Sequence, residues 1–442
     1  MMQLIAVILW VAADSSRQMR AGNCLFILLY SPFLFNRSQN DPDFIIIGVV
    51  KAMADSQKEE KSISCFSPGL AGIPVAESAV SFVDGQVGHL EYRGIDIEEL
   101  AENSSFEESS YLLLYGELPT AEQLQEFDSR LKRHRRIKFR IRDMMKSFPE
   151  SAHPMDSLQA TVAALGMFYP YPRTLVGTLD QSTVDDVCVN LIAKLPTLVA
   201  AHARMRRGDD PIAPRDDLSH AANFYYMLTG EEPYPLTERI LDVAFIVHAE
   251  HTMNASTFST LVVASSLADP YTSISAAIGS LSGPLHGGAN EDVLHMLDEI
   301  GSVDHAEAYL NGKLERKEKI SGLGHRVYKT RDPRATLLVK LYKQLTDKIG
   351  VDIDYRIARQ IEKLSESTLG AKGICPNVDF YSGIVYRKLW IPTDLFTPIF
   401  AIARVSGWLA HWKEQLGQGR IYRPSQIYTG KYGQSYTPVD KR

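Results

Sequence analysis

The order of apolar and polar residues changes character near Cys65. Before it, Leu4 to Ala13 and Cys24 to Phe35 are apolar runs without caps, turn residues or sustained periodicity. Each falls short of the ~18 to 20 residues a membrane-spanning helix needs, and no basic stretch precedes Leu4 as a secretory signal would require. Residues 1–52 therefore read as an extension, poorly ordered or upstream of the true start, with no membrane partner; Met53 then opens the polar stretch ADSQKEEKS. Beyond Cys65 the pattern becomes structured. Val80 to Tyr92 places two short apolar stretches around Asp84-Gly85, which predicts a β-hairpin turning where glycine tolerates positive φ. Ser105-Phe-Glu-Glu108 is a capping box and Gly116 a left-handed stop, framing one helix at both ends. Thr120 opens the next, with Leu124, Phe127 and Leu131 at helical spacing, and Asp156 to Gln159 starts another. Further helices are predicted over Val184 to Arg206, His220 to Leu228, Leu236 to His251, Phe258 to Ser266, Ala335 to Leu345 and Phe396 to Leu416. With one short N-terminal β-hairpin as the strand signal, the expected class is all-α.

Composition narrows the function. The 442 residues are 45% hydrophobic and 23% charged, ordinary for a globular chain of two or three units, and the net charge of −6 provides no positive field to hold nucleic acid. Four cysteines, Cys24, Cys65, Cys188 and Cys375, lie far apart with no CxxC spacing, which argues against a disulfide framework and fits a reducing, cytoplasmic compartment. The one basic run, Arg130 to Arg142, lacks aromatic stacking partners and reads as a solvated helix face.

Chemistry concentrates in four segments of the second half. In His248-Ala-Glu-His251, a spacing of three on a helix would put both rings on one face, as a metal site could use; HExxH is absent and no acidic or cysteine ligand has suitable spacing. In Gly283-Pro-Leu-His286-Gly-Gly-Ala-Asn-Glu291, glycines let backbone approach a ligand, and a following helix start would disfavour the imidazolium, leaving a neutral donor for an oxyanion or simply a satisfied turn histidine. In Gly322-Leu-Gly-His325-Arg326, the glycines lack dinucleotide-fingerprint spacing, and a histidine among four cations suits a carboxylate or phosphate ligand. In Pro376-Asn-Val-Asp379-Phe380, a carboxylate between Val and Phe is either a general base raised by desolvation or the cap of a helix starting near Tyr381.

Together GPLHGGANE, GLGHRVYKTRDPRA and PNVDFYSG, in this order and spacing, resemble the citrate synthase family. HAEHTMNAST, the arginine of FAIARVSGWLAHW and RPSQIYTG fit as well, and the resemblance runs from about Gly69 through Tyr432. It implies an all-α homodimer, or a higher oligomer, whose large domain (53–278 and 386–442) and small domain (279–385) close on acetyl-CoA and oxaloacetate to form citrate and CoA. By motif, Asp379 removes the acetyl proton, His286 hydrogen-bonds the enolate-like oxygen and His325 polarises the ketone. His251, Arg334, Arg404 and Arg423 are implied to hold oxaloacetate, the last across the dimer, and Lys319 and Lys329 to contact CoA phosphates. No cofactor and no metal is implied, CoA thioester being substrate. A 2-methylcitrate synthase acting on propionyl-CoA shares this set, because one methylene is worth only ~1 to 3 kcal/mol of discrimination. A non-catalytic acyl-CoA or dicarboxylate sensor would be expected to lose Asp379 or a site histidine. The residues before Gly69 lack the strand alternation of the β-rich N-terminal domain linked to NADH inhibition in some bacterial relatives, so no such regulation is expected.

Overall fold

The computed structural model describes residues 66–172 and 180–442, so the expectations for 1–52 lie outside the described residues. The chain divides into Met1–Glu77 and Ser78–Arg442. Of the first unit, the described residues carry one 3-10 turn, Pro68–Leu70, with no buried residue.

The second unit opens with an antiparallel sheet, β1 (Ser81–Asp84), β2 (His89–Tyr92) and β3 (Ile95–Asp96), in which Ser81 faces Tyr92. Helices follow: α1 (Ile97–Asn103), α2 (Phe106–Tyr115), α3 (Ala121–His134), α4 (Phe139–Lys146), α5 (Pro154–Phe168), α6 (Gln181–Met205), α7 (His220–Thr229) and α8 (Pro235–His248). Then come α9 (Ala255–Ala264), α10 (Pro270–Leu281), α11 (Ala289–Ile300), α12 (Ala306–Glu315), α13 (Pro333–Ile349), α14 (Ile353–Leu369), α15 (Val378–Lys388) and α16 (Phe396–Gln418). The all-α expectation holds, and its local signals hold where the chemistry is local. Ser105 accepts the Glu108 N–H, Gly116 sits at φ 92° beyond α2, and Thr120 with Gln123 forms a reciprocal capping box. Among the described residues no helix is long and apolar enough to cross a membrane.

The centre of the packing is α16, buried on all sides from Phe396 to Trp412 and packed against α2, α5, α6, α8, α9, α10 and α11. A helix apolar all round belongs in a core, and each fully buried Leu, Ile or Phe contributes roughly 1.5 to 3 kcal/mol. Within α16, Gly407 leaves room for the turn after α8: a Cβ there would overlap Glu250 Oε2 and the Ala249 carbonyl oxygen.

Three local expectations are corrected. The helix predicted to reach His251 stops at His248, and Thr252 takes φ 50°. That value is an outlier for a β-branched residue. The Tyr92 hydroxyl meets this helix end, accepting the Glu250 N–H at 3.1 Å and lying 3.0 Å from the Ile246 carbonyl, so groups left orphaned by the stop are satisfied. In the hairpin the positive φ, 73°, falls on Gly88 rather than Gly85. Gly85 is glycine for a different reason, since a Cβ there would overlap the Val327 carbonyl oxygen. The cap of α15 is Asn377, whose side chain accepts the Asp379 and Phe380 N–H groups, which frees the Asp379 carboxylate.

The basic run resolves into structural contacts. Arg130 pairs with Asp186, Lys132 with Asp128, Arg133 with Glu126 and Arg136 with Asp216. Arg135 is instead buried, donating to the Arg215 and Leu218 carbonyls at 2.6 and 2.9 Å.

Candidate functional site

Backbone bonds lock the His325 turn to the start of α15. Gly324 N donates to Cys375 O at 2.8 Å, Asn377 N to Gly322 O at 3.0 Å, and Asn377 Nδ2 to Gly324 O at 3.0 Å. Gly322 and Gly324 both sit at left-handed φ, 74° and 85°, which side chains would strain. Asp332 ties in a third element: it caps α13 by accepting the Arg334 N–H and also accepts the Val378 N–H at 3.2 Å. His325 and Asp379, 54 positions apart by number, thus rest on one hydrogen-bonded frame.

The histidine protonation states follow from what donates to them. His325 Nδ1 accepts the N–H groups of Val327 and Tyr328 at 3.0 and 3.2 Å. A backbone N–H can only donate, so Nδ1 is bare and the proton sits on Nε2. Burial first, then the Arg334 cation, lowers this histidine to about 4, leaving it neutral at pH 7. His286 has the opposite tautomer. Its Nε2 accepts the Ser256 N–H at 3.3 Å and lies 2.8 Å from Ser256 Oγ, so Nδ1 carries the proton. Burial and then Arg404 lower it to about 4. The helix start that donates to this ring is that of α9, through the Ser256 N–H, a partner the sequence reading did not name.

His251 lies buried beside His325, ring centroids 5.1 Å apart, with Nε2 3.2 Å from the Tyr328 hydroxyl. Burial, then Arg334, His325 and Arg404, holds it well below the usual histidine range. His248 does not share its face: it donates from Nδ1 to Ala244 O at 2.7 Å and packs on Phe400. Because the helix ends between them, the geometry assumed for a two-histidine metal site is absent. Among the described residues no group of three or more His, Cys, Asp or Glu side chains is placed to hold a metal ion.

Two arginines complete the neighbourhood. Arg334, 2% exposed, donates from Nε and a terminal nitrogen to the two oxygens of Asp332 at 3.0 and 2.7 Å. Arg404, 1% exposed, donates from Nε to the His248 carbonyl at 2.6 Å. Asp379 feels both. Burial pushes its carboxyl up to about 7 against the pull of Arg334 and Arg404, with Asp332 adding to the rise, and its Oδ1 is buried without a partner. A carboxyl at that value is a workable base near neutral pH.

The structure therefore brings together His251, His286, His325, Arg334, Arg404 and Asp379. It leaves three predicted residues outside. Arg423 is exposed and donates to its neighbour's carbonyl, Pro424 O, at 2.9 Å. Lys319 and Lys329 have exposed side chains flanking the His325 turn. Residues overlooked in the sequence include Tyr328, Asp332, Asn377 and Ser256. Asp332-Pro333 and Asn377 carried readable helix-start signals; Tyr328 and Ser256 had none.

Comparison with known proteins identifies the family. The family model described as citrate synthase, C-terminal domain, matches residues 69–425. A citrate synthase of a Synechocystis strain is 57% identical, covering 85% of this chain and 94% of its own, and one of Acidithiobacillus ferridurans is 51% identical over 85% and 98%. A solved citrate synthase of Thermoplasma acidophilum, in ternary complex with carboxymethyl coenzyme A and oxaloacetate, is 31% identical with a TM-score of 0.81, covering 86% of this chain and 100% of its own. The family model, the sequence relatives and the solved fold agree, and the chain belongs to the citrate synthase family.

Proposed function

We infer that the protein condenses acetyl-CoA with oxaloacetate and hydrolyses the citryl thioester to citrate and CoA. The observation that carries this reading is a carboxyl at about 7, Asp379, in one buried neighbourhood with two neutral imidazoles of opposite tautomer. A thioester α-proton is too weakly acidic for an isolated carboxylate. Asp379 takes a methyl proton while the His286 Nδ1–H stabilises the oxygen that becomes enolate-like, and the methyl carbon attacks the ketone carbon of oxaloacetate. The His325 Nε2–H polarises the ketone oxygen and supplies the proton to the new alkoxide. Water then cleaves the thioester, releasing CoA. Each positioned donor contributes on the order of 3 to 4 kcal/mol to such a step. Proton transfer and carbonyl polarisation are both supplied by side chains, so the reaction as proposed uses no cofactor.

Arg334 and Arg404 hold the two carboxylates of oxaloacetate, with His251 beside them. Lys319 and Lys329, exposed on either side of the His325 turn, contact CoA phosphates. Residues 279–385 act as the small domain, closing on the large one in a cytoplasmic homodimer. The exposed Arg423 reaches the active site of the partner subunit. Co-refolding Arg423→Ala with Asp379→Asn subunits tests this: in trans, one site of each heterodimer receives neither defect and activity returns, whereas in cis none does.

The names of the relatives favour acetyl-CoA over propionyl-CoA. Thiol release with oxaloacetate and each acyl-CoA checks the choice. Higher kcat/KM with propionyl-CoA would make the protein a 2-methylcitrate synthase, and no thiol release with either would sink the enzymatic reading.

A further inference from the structure

The β1–β2 hairpin touches the turns that carry both oxaloacetate histidines of the reaction above, His251 and His325. On strand β1, Ser81 Oγ accepts the Thr252 N–H at 3.1 Å and donates to Glu250 Oε1 at 3.0 Å, gripping the strained residue directly after His251. Across the ladder, its partner Tyr92 bonds the backbone of Ile246 and Glu250, so both strands hold the same turn. At the hairpin tip, Gly85 O accepts the Lys329 N–H at 2.8 Å. The missing Gly85 side chain lets the Val327 carbonyl rest against its Cα. The N–H groups of Val327 and Tyr328 are those that fix the His325 tautomer, and the Tyr328 hydroxyl contacts His251.

We propose that this hairpin is the frame setting His251 and His325 in register on oxaloacetate, with Ser81 and Gly85 as positioning residues. The proposal rests on the functional reading above, and it deepens that reading by assigning a catalytic geometry to the only sheet among the described residues. Neither residue touches substrate. Ser81 acts through the Thr252 and Glu250 contacts on His251, and Gly85 acts through the Val327–Lys329 backbone on His325. A turn held at positive φ without glycine needs such an external grip.

Steady-state kinetics and calorimetric oxaloacetate binding on the full-length enzyme test it. Ser81→Ala removes the donor to the buried Glu250 and the acceptor for the half-buried Thr252, and should raise the Kd and KM for oxaloacetate about tenfold, with the KM for acetyl-CoA changed less than about twofold. Ser81→Thr, which keeps the hydroxyl, should restore the oxaloacetate values. Gly85→Ala forces the Val327 carbonyl away and should lower kcat as well, since it disturbs the donors to His325. Ser109→Ala, a buried hydroxyl bonded to Ser104 away from the site, is the control for a merely structural loss and should leave both KM values unchanged. The proposal is overturned if Ser81→Ala and Gly85→Ala lower thermal stability but leave oxaloacetate Kd and KM as in the wild type, or if both substrates are affected equally. His251→Ala and His325→Ala separate the two failures. If these also leave oxaloacetate binding unchanged, the functional reading is at fault; if they weaken it while the hairpin variants do not, only the hairpin's role falls.

Discussion

The start of α13 carries its own counter-charge for Arg334, whereas the middle of α16 offers Arg404 only a carbonyl at its Nε. The consequences run in opposite directions. Burial opposes both cations, but Asp332 holds Arg334 above its ordinary value, while Arg404 is driven down to about 10 despite Glu250 and Tyr92. Arg334 is thus largely neutralised before any ligand arrives, and Arg404 is the cation that a dicarboxylate would relieve. Two residues of one type, equally buried in one site, therefore differ in what they do for stability and for binding.

The largest effect is expected where the two regions converge, at Asp379. Asp379→Asn should lower turnover by ~10³-fold or more, on the scale of a lost general base, while calorimetric oxaloacetate affinity stays near wild type because the carboxylate acts on the other substrate. A parallel loss of affinity would contradict the role. Next come the arginines themselves. Arg334→Leu leaves Asp332 buried and short of its partner, so chemical denaturation should show a loss of ~3 to 5 kcal/mol. Arg404→Leu removes an underpaired buried cation and should leave stability unchanged or higher. Both should weaken oxaloacetate binding by ~30-fold or more. Equal destabilisation by the two substitutions would erase the contrast.

The smallest expected effect is on the pH profile. Asp379 must be ionised to act, so kcat/KM for acetyl-CoA should fall about tenfold per unit as pH drops below about 7, with His286 and His325, at about 4, silent in that range. Arg404 pulls Asp379 down and Asp332 pushes it up. The acid limb should accordingly move to higher pH in Arg404→Leu and to lower pH in Asp332→Asn. A limb that moves the same way in both would show that the proton sits elsewhere.

What could be read from the sequence was whatever depends on near neighbours along it. Helix caps at Ser105 and Thr120, the glycine stop at 116, and the three glycine- or proline-bearing motifs around His286, His325 and Asp379 are local chemistry, and their residue types carry it. Contacts between distant segments left no such trace. Tyr92 satisfies a helix end 154 positions later, Arg135 donates to carbonyls 80 and 83 positions away, and Gly85 reads as a turn residue although its absent side chain serves the Val327 carbonyl. The end of α8 was missed because apolar periodicity runs up to it, while the grip that stops it comes from the hairpin. His286 precedes one helix in sequence, but its ring accepts an N–H from the start of another, reached through tertiary packing alone.

Gly407 shows where this arrangement has no slack. Most neighbours in the core are separated by side chains, which absorb a small displacement by changing rotamer. Between α16 and the turn that carries His251 there is no such layer, because the helix backbone at Gly407 lies directly against Ala249 and Glu250. A shift of α16, which also carries Arg404, is therefore passed to the histidine undamped, as through meshed gears. A residue with no side-chain chemistry of its own is thus one whose replacement the site cannot accommodate without moving the His251 turn.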